Sequence, residues 1–512
     1  MFHRLCYASG FVTDTESRSL LRVQRFFQWL REAFAPGEIT LPRYLLFAFL
    51  VRLPAVIWSR GYAFSDHQFQ YVDPAFHLAF GGSWWQPHDF TQGLRSWVYP
   101  GILAGVFEMV AGVGITEPRS MMVATRLVHA LMSLIPVAAF WLLIVRWKGW
   151  SGQRPLLLFF AANALLVYCA VQPTGPTFAV GLSLAAIFLF QGPGSLWPFL
   201  SGLLLGLAFA CRFQDAFFGP VLLAAGLIQR RWRACGFLAL GSAITVLGQG
   251  IVDLLTWGSF LHSPFRYVAW NVFEGQAQRY GQQPFWFYAA FVALVLVLIP
   301  PFLRSGFRAL SEGSGRLPLL AVAAFTYILL HNVMARKDIR FVLPAVILLL
   351  AVYASSLLFP RVAEGKSRRV HRHVFVGLHV LALCFASVWY ANRGPVEAAL
   401  ALHGFEDFQD RLVVVDGEDD KVGGYFYLGR QSLEVVKVRK RYLASWLRAA
   451  KPDGPTYLLV VGGPLDGTEG WGRYRLEPVG EYRDWPDTWP GARRFLYRAI
   501  RIADRSQQLS TQ

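Results

Sequence analysis

Residues 61–101, GYAFSDHQFQYVDPAFHLAFGGSWWQPHDFTQGLRSWVYPG, decide the fold: they form the longest polar interruption in an apolar stretch and follow directly on the first run able to cross a membrane. Within them lie Asp66, Asp73, Asp89, His67, His77, His88 and Arg95, set among Trp84, Trp85 and Trp97. Ionisable groups gathered beside a bilayer are expensive unless paired or hydrated, so this loop reads as a site carried by a membrane protein.

Composition agrees. The chain has 512 residues, 54% hydrophobic and 16% charged, with mean hydropathy +0.38, whereas charged residues make up about a quarter of a soluble protein. The net charge of +17 does not point to nucleic acid, because the basic residues sit in short loops between apolar runs, the positive-inside pattern. The five cysteines mostly fall in or beside apolar runs and have no metal-ligand spacing, so neither a disulfide framework nor a metal site is expected. The start of the chain lacks the pattern of a cleaved secretory signal, so the first span is taken as retained.

The residues before the loop carry six arginines against four carboxylates over 1–43. Over 18–34, Leu20, Val23, Phe26, Phe27, Leu30 and Phe34 share one helical stripe, which predicts either a basic amphipathic helix on the cytoplasmic membrane surface or an ordinary solvated helix packed on the protein. Apolar runs then predict spans at 41–58, 120–145, 155–171, 177–190, 196–211, 216–228, 234–256, 285–303, 317–334, 340–359 and 373–391.

Loop charge decides the ambiguous run 98–116. If it does not cross, the clusters Arg146/Lys148/Arg154, Arg230/Arg231/Arg233, Arg304/Arg308/Arg316 and Arg361–Arg372 all fall on the side of the basic N-terminus. The expected architecture is therefore an α-helical polytopic membrane protein with about 11 transmembrane helices and 98–116 re-entrant or interfacial. Segments 61–119, 172–176, 212–215, 257–284 and 335–339 then share the outer face. After Tyr390 the composition turns polar, with β-rich runs at 411–417, 457–463 and 494–500 and a helix at 440–450, a small extracytoplasmic α/β domain. The expected division is 1–40, a cytoplasmic segment; 41–391, a catalytic membrane domain with its outer loop at 59–119; and 392–512, the α/β domain and tail.

A second polar cluster, HNVMARKDIRFVLP (331–344), lies between two apolar runs on the same predicted face as Asp66. Three cations in so short an outer loop predict an anionic ligand. Together the two clusters suit glycosyl transfer from a lipid-linked sugar phosphate: cations stabilise the departing phosphate, and one carboxylate takes the acceptor hydroxyl's proton in a single inverting displacement. Asp66 is the expected base, with Arg336, Lys337, Arg340 and Arg212 as phosphate partners, Asp73, Arg95 and His331 as further substrate-binding candidates, and no cofactor or metal needed.

Every assignment has a plainer alternative. Asp66 also suits a helix cap, Asp73 a turn before Pro74, and Arg95 a partner for Asp89. Arg336 and Lys337 also suit membrane-interface anchors, and His331 a hydrogen-bonded structural histidine. In the outer loop 257–284, Asn271, Gln276 and Tyr280 beside aromatic rings suit sugar binding or an interfacial aromatic belt equally. A transporter or flippase of a lipid-linked anion is the rival function, and an inactive relative a third.

Three stretches carry a family resemblance: SDHQFQYVDPAFHLAFG followed by LRSWVYPG, DLLTWGSFLHSPFRYVAWNVFEGQAQRYGQQPFWFY (253–288), and ARKDIRFVLP (335–344). They resemble, in the same order, the dolichyl-phosphate-mannose-dependent mannosyltransferases of glycosyltransferase family 22, the Alg9-type group that includes GPI mannosyltransferases, over roughly residues 44–360. The resemblance implies a GT-C fold, an extracytoplasmic active site in a bacterial inner or endoplasmic reticulum membrane, a polyprenyl (dolichyl)-phosphate donor, a glycan or glycolipid acceptor, and inversion at the sugar carbon. Asp66 matches the family's first-loop catalytic aspartate, and Lys337, Arg340 and Phe341 match its His-Lys-Glu-x-Arg-Phe signature. Two departures stand out: Asp66-His67 replaces an Asp-Glu pair, and Arg336-Lys337-Asp338 replaces His-Lys-Glu.

Overall fold

The computed structural model describes residues 39–501 apart from 83, 85, 151–152, 297–302, 333, 360–364, 409–410, 418–423, 430–433, 451–455, 463, 466–473 and 484–492. The amphipathic segment expected at 18–34 and the C-terminal tail lie outside the described residues. The protein is mostly helical, and a sheet domain follows the last long helix.

Among the described residues six helices are long and apolar enough to cross a membrane: Leu41–Trp58, Pro118–Trp147, Arg154–Val171, Trp232–Trp257, Ile339–Leu357 and Lys366–Val388. Arg304–Arg316 and Pro318–Asn332 meet at a 115° bend and make a seventh only if taken together. Three expected spans appear as shorter apolar helices, Gly175–Leu189, Leu196–Cys211 and Phe213–Ile228. At 1.5 Å per residue, a helix of 15 residues reaches about 22 Å, short of a ~30 Å hydrocarbon layer. The ambiguous run forms a helix of this short kind, Val98–Gly112.

Helix Leu343–Leu357 is buried at every position, as an apolar-all-round helix must be to escape water. It shares one continuous core with residues of most of the other apolar helices, among them Phe140, Phe160, Leu184, Leu205, Leu222 and Leu320. A second core joins the polar loop to the C-terminal domain, with Tyr71, Val72, Tyr99, Leu103 and Phe107 in one cluster with Leu412, Val414, Phe426, Leu459 and Leu496.

Two short strands close the loop's base. β1 (Arg60–Gly61) and β2 (Tyr390–Ala391) form a parallel ladder, so the segments beyond the first and last long helices leave the bundle side by side. Gly61 has φ +70°, and a Cβ there would stand 1.7 Å from the Ala391 carbonyl oxygen; only glycine allows that approach. The buried Arg126 guanidinium donates to the carbonyls of Ser59 and, at 3.0 Å, Gly61, while Asn392 Nδ2 donates to Tyr62 O at 2.6 Å.

The C-terminal sheet contains β3 (Arg411–Val415), β4 (Glu434–Val438), β5 (Thr456–Val461), β6 (Tyr474–Arg483) and β7 (Arg493–Arg501) in the order β4-β3-β5-β7-β6. β4, β3 and β5 run parallel, whereas β7 and β6 are antiparallel. Period-2 alternation divides its apolar residues. Leu412, Val414, Tyr457 and Leu459 face the loop helices; Val413, Val415, Leu458 and Val460 face helix Leu443–Ala450 through Leu443 and Leu447.

Candidate active site

Asp66 lies in the turn Ser65–His67, which runs through a π-helical turn, Gln68–Val72, into helix Asp73–Phe80. The π turn adds a residue per hydrogen-bonded ring, a geometry frequent at functional sites. Opposite stands the 3-10 turn Ile339–Val342 heading the central helix, capped by Asp338, whose side chain accepts from Arg340 N. Arg340 Nη1 reaches Asp66 Oδ2 at 2.8 Å, and its Nε reaches Asp338 Oδ2 at 2.9 Å. The guanidinium lies over the Phe64 ring, 4.3 Å from its centroid. The two polar clusters, more than 250 residues apart by number, therefore meet in one ion pair.

Beside that pair opens a cavity of about 470 Å³. Among the described residues its charged lining consists of Arg95, Arg212, Arg336 and Arg340 with Asp66 and Asp89; His67, His88 and His331 add three imidazoles. Two of the four guanidiniums also face carboxylates outside the lining, Arg340 at Asp338 and Arg212 at Asp215. Burial of Asp66 opposes its ionisation, but Arg340, a backbone hydrogen bond and Arg95 together outweigh burial and hold the carboxyl below its ordinary range. Burial pushes His67 down despite the attraction of Asp66, so its imidazole is neutral at pH 7.

The arginines are held differently. Arg95 Nε and Nη2 converge on Asp89 Oδ2 at 2.8 and 2.6 Å, where Gln70 Nε2 also donates. Arg212 is 6% exposed. Its Nη2 donates to Phe341 O at 2.8 Å and its Nη1 to Arg340 O at 3.5 Å, so it grips the backbone that carries Arg340. Behind it, 4.0 Å away, is the buried Asp215, which accepts from Tyr327 OH at 2.6 Å and Ser183 Oγ at 2.8 Å. Asn271 lines the cavity, with Nδ2 donating to Tyr267 O at 2.9 Å.

Asp73 and Lys337 are not among the lining residues. Asp73 is fully buried, and its Oδ1 accepts from Gln68 Nε2 at 2.8 Å and from Phe426 N of the C-terminal domain at 3.0 Å. Burial raises this carboxyl to about 6 against those hydrogen bonds. Phe426 stacks on Phe107 at 5.0 Å, and a Cβ at Gly424 would meet the Gln68 side chain at 2.5 Å. Asp73 thus joins the C-terminal domain to the turn carrying Asp66. Lys337 turns back on its own loop, Nζ donating to Met334 O at 2.8 Å and Gln283 O at 3.2 Å. Tyr280 ends the short helix Gln276–Tyr280, but its side chain lies outside the described residues.

Sequence reasoning gave Asp89 as a partner for Arg95, which it is, and assigned no role to Gln70, Gln214, Trp270 or the Asp215 group. Of these, Asp215 carried a local signal: a carboxylate three residues after Arg212 at the head of an apolar run.

Known proteins resemble this chain in both sequence and fold. GPI mannosyltransferase 3 of Drosophila melanogaster is 26% identical over 336 residues, covering 61% of this chain and 56% of that protein. Human GPI alpha-1,2-mannosyltransferase 3 is 21% identical over 314 residues, 59% and 54% of the two chains. The match thus spans little more than half the length of these relatives. Among solved structures, ArnT from Cupriavidus metallidurans bound to undecaprenyl phosphate superposes with a TM-score of 0.57 at 14% identity, covering 89% of this chain and 97% of that one, and so shares its fold. The model of the Alg9-like mannosyltransferase family matches residues 43–411, well over half of the sequence, and the chain belongs to that family.

Proposed function

We propose that the protein is an integral-membrane inverting mannosyltransferase that moves mannose from a polyprenyl phosphate to a hydroxyl of a glycan or glycolipid. The observation that carries this reading is the ionised Asp66 paired at 2.8 Å with Arg340 on the wall of a four-arginine cavity. The donor phosphate enters among Arg336, Arg340 and Arg95. The acceptor hydroxyl gives its proton to Asp66, its oxygen attacks the sugar's anomeric carbon, and the bond to the phosphate oxygen breaks on the opposite face. The electron pair leaves on polyprenyl monophosphate, whose added charge the guanidiniums stabilise.

Arg340 has two roles in this reading. Without donor it neutralises Asp66 and makes it a weak base. An arriving phosphate competes for the same guanidinium and restores the carboxylate's basicity, so donor binding prepares the base. Loop charge supports a topology of eleven crossings with the N-terminus inside and the cavity on the extracytoplasmic face, the short apolar helices crossing within the bundle where their ends are covered by protein.

In proteoliposomes supplied with polyprenyl-phosphate mannose, Asp66→Asn is expected to insert and fold normally while losing transfer. Near-wild-type turnover would remove Asp66 as the base. Lipid translocation without a new glycosidic bond would replace the enzyme with the flippase reading.

A further inference from the structure

His331 stands near the end of helix Pro318–Asn332 and is 3% exposed. Its Nδ1 is 2.9 Å from the Tyr327 carbonyl oxygen. A carbonyl only accepts, so Nδ1 carries the hydrogen and Nε2 carries a lone pair. The ring is held against Tyr327, with centroids 4.3 Å apart, and edge-on to Phe217 at 5.5 Å. Its remaining polar atom, Nε2, is buried without a hydrogen-bond partner among the described residues, and His331 lines the cavity. A buried acceptor left unmade is costly, so this one calls for a donor arriving from the cavity.

The neighbouring chemistry narrows what that donor is. Arg212, beside His331 in the cavity wall, directs two of its nitrogens at the Arg340 and Phe341 carbonyls. A sugar-linked polyprenyl phosphate is a diester, with no proton to offer near neutral pH. Among the groups of donor and acceptor, the hydroxyls of the sugars can donate to a lone pair.

We infer that His331 Nε2 accepts a hydrogen bond from one hydroxyl of a sugar bound in the cavity, and so reads the sugar while the arginines hold the phosphate. This rests on the mannosyl-transfer reading and adds a specificity residue to it. The hydroxyl belongs to the transferred mannose or to the accepting sugar, and the two sources separate in the test.

The full chain in proteoliposomes is assayed as wild type, His331→Phe and His331→Gln. Phe keeps the ring packing without an acceptor; Gln supplies a carbonyl oxygen. Donors are polyprenyl-phosphate mannose and each of its monodeoxy analogues; acceptors are octyl mannoside and each of its monodeoxy analogues. One missing hydroxyl is expected to lower wild-type kcat/KM by roughly ten- to a hundredfold, because it leaves Nε2 unpaired. That penalty disappears in His331→Phe and persists in His331→Gln, and the substrate bearing it identifies the source.

The same deoxy profile in all three proteins overturns the inference and is the outcome expected if only water meets Nε2. His331→Met replaces Phe where Phe does not fold. If wild type transfers nothing from any donor, the mannosyl-transfer reading falls and takes this inference with it. If wild type transfers but the profiles coincide, only the inference falls.

Discussion

Arg340→Gln separates the two roles of Arg340. In the free protein its guanidinium is 2.8 Å from Asp66, and neither side chain is fully exposed, at 13% and 33%. An opposite charge so near holds the Asp66 carboxyl below its ordinary range. The phosphodiester donor does not titrate in this range. The acid limb of kcat/KM therefore reports Asp66 in the free enzyme, and that of kcat reports it with donor bound. If, as proposed, donor draws Arg340 away, the wild-type kcat limb is expected at higher pH than the kcat/KM limb. In Arg340→Gln the kcat/KM limb rises and the two converge, while kcat/KM at pH 7 falls by at least about tenfold through loss of a phosphate partner. The assay is initial-rate transfer from polyprenyl-phosphate mannose over pH 3.5–8 with donor varied at each pH. Coincident limbs in wild type, or an unchanged gap in the variant, would refute the competition between phosphate and Asp66.

Two further predictions concern residues that face away from the cavity. Asp73 is raised by burial to about 6, so the stability from its protonated form is fully present below its unfolded value and is lost as pH rises through about 6, up to ~3 kcal/mol. Asp73→Asn keeps the oxygen that Gln68 and Phe426 N use, and thermal unfolding in detergent should find it at least as stable as wild type at pH 7, without wild type's gain between pH 7 and 5. Asp73→Ala leaves both donors unmatched and should lose ~1–3 kcal/mol, read as faster proteolysis within 392–501. Lys337→Gln should lower the unfolding temperature by removing its hold on Met334 O and Gln283 O while leaving donor KM within about threefold; Arg336→Gln, on the cavity wall, should raise that KM about tenfold. The opposite pattern would return Lys337 to the phosphate.

The membrane character was legible because apolar run length and loop charge act locally. The number of crossings was less so: Gly175–Leu189 and Leu196–Cys211 are as apolar as the long helices but stop short, since neighbouring protein rather than lipid covers much of them. At the site, residue type identified the charged loops but not the directions of their side chains. Asp66 and Arg340 do meet, as their shared predicted face required. Lys337 and Asp73 read just as plausibly as ligand groups, yet backbone carbonyls hold one and an amide about 350 positions away holds the other. Local spacing contains no such partner. The strands β4 and β6 escaped for a different reason: charged residues at exposed positions, such as Glu434, Lys437, Arg475 and Glu481, interrupt them, whereas β3 and β5 read as unbroken apolar runs.

Beneath Arg340 lie two charged side chains, Arg212 and Asp215, 4.0 Å apart. Asp215 is fully buried and Arg212 nearly so, and desolvating such a pair costs about as much as its attraction returns, so apolar residues of the same volume would serve stability equally well. Their contacts suggest a different use under the proposed function. Tyr327 and Ser183 fix Asp215, Asp215 faces Arg212, and Arg212 holds the successive carbonyls of Arg340 and Phe341. Arg340 must exchange one anion for another without moving its backbone; a rigid base allows the guanidinium to swing while its Cα stays fixed. Tyr327 also supplies the carbonyl that sets the tautomer of His331. One buried residue, Tyr327, thus supports both the arginine proposed to hold the phosphate and the imidazole proposed to read the sugar, through its hydroxyl on Asp215 and its carbonyl on His331.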